Sequence, residues 1–311
     1  MLNILRENKE IILVKFPILF PLLYGLILYI FPEFETQLIF ITILILAEPH
    51  FGATWPFFLN SVNDGFIKSK RNDLMIIPSL IIIGSLLGFF LFKNLFLLIF
   101  FAANIYHVMR QSFGICKLYC KNEYEKKIQE YLIYFFNFLF FLIALFRFYF
   151  PLIQTDDLII LNLIVISMFL LISIYYVYKF KFTQNFLVFL TGCLIFFPTC
   201  FVINPVHAII MGVTMHYTQY LFLTHNVHTG RKKESSNENN FSNKKYFLII
   251  ALYAIVMSIF SIFGKFDANL LKSLILVPII GQMLHFYLDS QLWKFSEKHN
   301  RDNVLRHIKI V

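Results

Sequence analysis

Long apolar runs separated by short polar breaks recur along the whole chain, and about 20 consecutive apolar residues suffice for a helix to cross a bilayer. This spacing predicts helices near 16–31, 38–60, 74–92, 94–115, 131–150, 158–178, 185–203, 205–226, 246–263 and 270–293. Only Lys93 and Asn94 separate the third from the fourth, which implies a tight helical hairpin. The expected fold is all-α: a polytopic transmembrane helical bundle of about ten helices, forming a single integral membrane domain over 1–311. A polar cytoplasmic loop is expected at about 229–245 and a short cytoplasmic tail at 294–311. The N-terminal stretch enters the first apolar run with no small-residue cleavage site, so that span is expected to remain.

Composition agrees with this pattern. Of 311 residues, 59% are hydrophobic and 14% charged, too little polar surface to cover a soluble core of this size. The net charge of +9 does not point to nucleic acid, because the basic residues sit in alternate loops. Lys9 and Lys15 precede the first span, Lys68, Lys70 and Arg71 follow the second, and Lys117, Lys121, Lys126 and Lys127 follow the fourth. Lys179 and Lys181 follow the sixth, Arg231 to Lys233 the eighth, and Lys294, Lys298 and Arg301 the tenth. The opposite loops are acidic or neutral, with Glu33, Glu35, Asp156 and Asp157. The positive-inside bias then places both termini in the cytoplasm. Cys116, Cys120, Cys193 and Cys200 lack the spacing and oxidising setting of a disulfide framework.

The candidate chemistry lies in histidines within the apolar runs. His50, His107, His216 and His285 sit on the second, fourth, eighth and tenth predicted spans, which all run from outside to inside. Counted from the outer ends they lie 13, 13, 12 and 15 residues in, a spread of roughly 4 to 5 Å at 1.5 Å per residue. A lone membrane histidine is more often a packing residue than a ligand, but four at one depth favour a metal site. His207 and His225 lie roughly 13 Å to either side and are left out. His299 and His307 fall in the tail and are expected to be ordinary surface residues.

The neighbours extend the pattern. Asn104, His107 and Gln111 form one polar stripe, and Gln282, His285 and Asp289 another. Tyr220 lies one turn below His216 and Thr54 one turn below His50, where groups that orient a ligating histidine are commonly found. Glu48 would face away from His50 on an unbroken helix, but Pro49 can bend the chain there. Arg110 is expected to snorkel to the interface, and Trp55 and Trp293 to be interfacial bulk. An all-imidazole shell suits iron, copper, zinc or nickel rather than magnesium or calcium, and iron or copper if the task is oxygen chemistry on an apolar substrate arriving from lipid.

The segments Glu48-Pro49-His50-Phe51-Gly52 and His285-Phe286-Tyr287-Leu288-Asp289, with His107 and His216 between them, resemble in order and approximate separation the histidine motifs of the Brp/Blh family. Those are bacterial and archaeal membrane β-carotene 15,15'-dioxygenases, which cleave β-carotene to retinal. The resemblance implies ferrous, non-haem iron as cofactor, with His50, His107, His216 and His285 as ligands, and a site in a bacterial inner membrane. It covers four short patches. This chain has Tyr220 where the family has a second histidine, and the family's acidic residue after the first motif is absent, with Thr54 and Trp55 nearby.

The expected function is therefore a membrane-embedded oxygenase using dioxygen on a lipophilic substrate, in the extreme case carotenoid cleavage, with Glu48, Gln111, Tyr220 and Asp289 in supporting catalytic roles. Copper or haem is less favoured as the cofactor. Two alternatives stand beside it: a b-type haem protein using two of the histidines, and a metal-free transporter or proton-coupled carrier relaying through Glu48, His107, Arg110 and Asp289. A di-iron desaturase is excluded by the lack of clustered His-x-x-x-His motifs.

Overall fold

The structure, a computed structural model, describes residues 8–150, 155–234, 242–264 and 273–308. It is built from helices, with no strand among the described residues. The main ones are α1 (Leu19–Ile30), α2 (Pro32–Phe58, a run of short helical pieces), α3 (Arg71–Leu91), α4 (Lys93–Tyr119), α5 (Glu123–Ala144) and α6 (Thr155–Phe180). They continue as α7 (Gln184–Leu194), α8 (Pro205–Glu234), α9 (Asn243–Phe263), α10 (Leu276–Leu292) and α11 (Lys298–Asn303).

Seven of these, α2 to α6, α9 and α10 with their flanking turns, are long and apolar enough to cross a membrane, making this an integral membrane protein. An eighth span results if α1 is joined to Asn8–Lys15, from which it is bent by 67°. Among the described residues, seven or eight spans pass this test of length and composition, against the ten expected. Of the other predicted spans, that at 185–203 is only the 11-residue α7 followed by a 3₁₀ turn at Phe197–Cys200. That at 205–226 belongs to the 30-residue α8, whose threonines, histidines and glutamine make it polar on several faces. The polar loop also shrinks: α8 runs on to Glu234, Ser242 caps α9 through the Lys245 amide at 3.2 Å, and 235–241 lie outside the described residues.

The chain divides into two compact units. Among the described residues, unit 1 draws on 8–39 and 105–219, and unit 2 on 40–104 and 220–308. In unit 1, α5 packs on α7, and Asn137 inside α5 donates to the Gly192 carbonyl at 2.8 Å as well as to Ile133 in its own helix at 2.7 Å. Asn122 caps α5, accepting from the amides of Tyr124 and Glu125. The break before α1 leaves backbone carbonyls without helical donors, and side chains supply them. Gln219 donates to Val14 O at 2.6 Å and Thr191 to Lys15 O at 2.9 Å. Lys15, expected to be a loop charge, is fully buried: its Nζ donates to Gln184 at 2.5 Å and lies 3.5 Å from Glu10, which accepts from Tyr119 at 2.7 Å.

In unit 2, α2 carries a π turn at Ile43–Ala47 directly before Glu48 and Pro49. Proline has no amide hydrogen and its ring crowds the carbonyl four residues back, and the wider turn absorbs both effects without breaking the helix. The following segment, Glu48–Gly52, packs on α9, where Gly52 permits close approach: a Cβ there would lie 3.1 Å from the Tyr253 ring. Gly281 on α10 makes room for the same side chain, since a Cβ there would lie 2.7 Å from the Tyr253 hydroxyl. Tyr253 is thus wedged between α2 and α10.

The chain after α10 folds back onto unit 2. His307 is buried, and His299 stacks on Phe66 at 4.9 Å and hydrogen-bonds Asn63 at 2.9 Å. These two histidines are therefore not the surface residues expected from the tail. Arg231, grouped with the loop charges by sequence, is also buried, donating to the Asn303 carbonyl at 2.5 Å with its guanidinium over the Phe57 ring.

Candidate metal centre

Within unit 2, α2 supplies His50 and α10 supplies His285, both buried, with ring centroids 4.6 Å apart. His50 sits in the helical turn after the π bulge, and His285 one turn before Asp289. Within unit 1, α4 supplies His107 and α8 supplies His216, also buried, with centroids 5.9 Å apart at a near-perpendicular angle. With metal–nitrogen bonds of about 2.0–2.1 Å, two imidazoles on neighbouring positions of one ion have ring centres roughly 4.5–5 Å apart, and on opposite positions roughly 6 Å. The His50 and His285 separation fits neighbouring positions. The imidazoles of His50, His107 and His285 each offer a buried nitrogen able to hold a metal ion.

A hydrogen-bonded row of side chains in unit 2 ends on one of these rings. His285 Nδ1 lies 2.7 Å from Thr54 Oγ1, which lies 2.9 Å from the Tyr220 hydroxyl. Tyr220 donates to Asp289 Oδ1 at 2.6 Å, and Trp293 Nε1 donates to the same oxygen at 2.6 Å. Tyr220 also packs edge-on against His50 at 4.4 Å and against His285 at 5.5 Å. Thr54, His285, Tyr220 and Asp289 are at most 3% exposed. In so dry a setting every polar atom needs a partner, and a row that runs from carboxylate to imidazole meets that demand.

The other expected site residues are placed as follows. Glu48 is buried on the helical segment that packs against α9. Gln111 is half-buried on α4, and Arg110 beside it is exposed. His207, left out of the ligand set, lies 2.7 Å from the Tyr24 hydroxyl and 3.5 Å from Glu35. His228 stacks on Tyr246 at 4.4 Å and bonds Asn243. Trp293, expected to be interfacial bulk, is instead a partner of Asp289, and its spacing four residues after that aspartate was the available signal. Thr54 stood out only as a neighbour of His50; its bonds to Tyr220 and His285 come from elements 166 and 231 residues away in sequence. Comparison with protein-family models, curated proteins and solved structures finds no match for this chain.

Proposed function

We propose that this protein is a membrane-embedded non-haem iron oxygenase acting on a long apolar substrate, with carotenoid cleavage to an aldehyde such as retinal as the specific form. In this reading His50, His107, His216 and His285 are the iron ligands. The observation that carries it is the bracing of His285: a buried imidazole whose Nδ1 is engaged by a hydroxyl tied to a carboxylate has the surroundings typical of a metal-ligating histidine. Spacing argues against haem at the unit 2 pair, since rings 4.6 Å apart are too close to sit on opposite faces of a porphyrin iron.

Ferrous iron would supply the electrons that allow dioxygen to react with an apolar alkene. The residues of the chain do the rest. Asp289, receiving from Tyr220 and Trp293, anchors the row; Thr54 holds the His285 ring in place; and Tyr220 covers one edge of both His50 and His285. Glu48 and Gln111 are assigned supporting roles, and a bacterial inner membrane suits a substrate delivered by lipid.

The test is purification in detergent, anaerobic reconstitution with ferrous iron, and counting of metal per chain. One iron per chain without a Soret band is expected, together with loss of that iron in His50→Ala, His107→Ala, His216→Ala and His285→Ala proteins that still insert in the membrane. Full metal retention by all four variants would overturn the ligand set. Expression in a β-carotene-producing host should give pigment loss with retinal formation; colour unchanged in the presence of iron-loaded protein would remove the carotenoid assignment.

A further inference from the structure

The row from Asp289 to His285 has a direction, and counting its protons reveals it. Trp293 Nε1 can only donate, so Asp289 Oδ1 accepts from it; the same oxygen accepts the Tyr220 proton. Tyr220 has one proton and has spent it on Asp289. In the bond between Tyr220 and Thr54, the tyrosine oxygen must therefore accept and Thr54 must donate. Thr54 likewise has one proton, now used, so toward His285 its oxygen can only accept. The proton in that 2.7 Å contact belongs to His285 Nδ1.

We infer that Thr54 is a positioning residue that fixes His285 in the Nδ1–H tautomer, through a one-way chain from His285 through Thr54 and Tyr220 to Asp289. The consequence is a lone pair on Nε2, the nitrogen then available as a donor to a cation. The inference rests on the reading of His285 as a ligand for its purpose, but its geometry lies wholly in unit 2. A hydroxyl suits this task better than a carboxylate. It passes on the polarity set by Asp289 without placing a second charge beside the imidazole.

The experiment is nitrogen-15 NMR of histidine-labelled, metal-free protein in bilayers, with the His285 signals identified by their loss in His285→Gln. A cobalt(II) titration runs in parallel. The wild-type protein is expected to show protonated Nδ1 and unprotonated Nε2 at His285. Thr54→Val, which keeps the volume and removes the hydroxyl, should mix the two tautomers and weaken cobalt binding by about 10–100-fold. Thr54→Ser, which restores the hydroxyl, should recover both. An Nε2–H tautomer in the wild type, or an unchanged tautomer in Thr54→Val, would overturn the inference. Should neither the wild type nor any variant bind cobalt while the wild type still shows the Nδ1–H form, the metal-site reading fails and the chain of donors stands.

Discussion

Each unit buries an ionisable side chain, Lys15 in unit 1 and Asp289 in unit 2, and they are accommodated in opposite ways. Lys15 sits at a helix break. Around it an amide accepts from the ammonium and a carboxylate pairs with it at 3.5 Å, while Thr191 and Gln219 donate to the carbonyls of Lys15 and Val14. Asp289 lies within an unbroken helix, and its recorded partners are two aromatic donors, one of which leads through Thr54 to an imidazole. The first cluster closes on the backbone, as a repair to a bent helix requires. The second closes on a ring nitrogen, where bonding of that kind orients chemistry. Burial of charge alone therefore does not single out a candidate site; the identity of the group at the end of the network is what separates the two clusters.

The comparison can be broken in order of expected effect. Lys15→Ala removes the ammonium beside a buried carboxylate and should destabilise the protein by about 3 kcal/mol or more, read from unfolding in mixed micelles. Metal per folded chain should not change; a large loss of metal would erase the distinction between the two clusters. Tyr220→Phe should cost about 1–3 kcal/mol, because Asp289 and Thr54 both lose a buried partner. It should also reverse the His285 tautomer, since the Thr54 proton, deprived of its acceptor, turns to Nδ1. Finding Nδ1–H retained in that variant would mean that polarity is set elsewhere. Trp293→Phe removes a donor to Asp289 while Tyr220 remains, and should cost about 1 kcal/mol while leaving the tautomer as it was.

The smallest effect belongs to the segment after α10. Burial holds the His299 imidazole below its ordinary range, with Arg231 acting in the same direction and Glu297 and Asp302 opposing. The hydrogen bond and charge of Lys70 hold the Glu297 carboxyl below the usual carboxylate range. A histidine depressed in the folded state contributes its full stability above the ordinary imidazole pKa of about 6.5, and loses it as pH falls toward the folded value. The depressed carboxyl contributes above about 4.3 and is lost at lower pH still. Amide exchange across Lys298–Asn303 should therefore quicken first below neutrality and again in stronger acid, with the spans unaffected. A single acid step that survives His299→Gln would assign the whole effect to Glu297.

Much of this was legible in the sequence. Apolar run length gave the helical membrane class, and periodicity put His285 and Asp289 on one face of one helix. The span count was less legible because α8 is long enough to cross but carries threonines, histidines and a glutamine that keep it out of the apolar class, and most of those side chains are buried in protein. Loop charge misled for Lys15 and Arg231: both flank apolar runs as topology signals do, yet each finds acceptors in its own unit. Thr54 was one of many hydroxyls in the sequence. Its place between Tyr220 and His285 depends on how α2, α8 and α10 pack, and no local pattern encodes that.

The wedge formed by Tyr253 has one more consequence. Its ring lies against α2 two residues from His50 and its hydroxyl against α10 four residues from His285, at glycines whose lack of a Cβ makes the room. The bite between the two imidazoles is thus gauged by a side chain that is not itself a donor. In the proposed centre the spacing of this pair is therefore set partly from α9, and a substitution at position 253 is expected to change which ion it prefers while leaving the histidines in place.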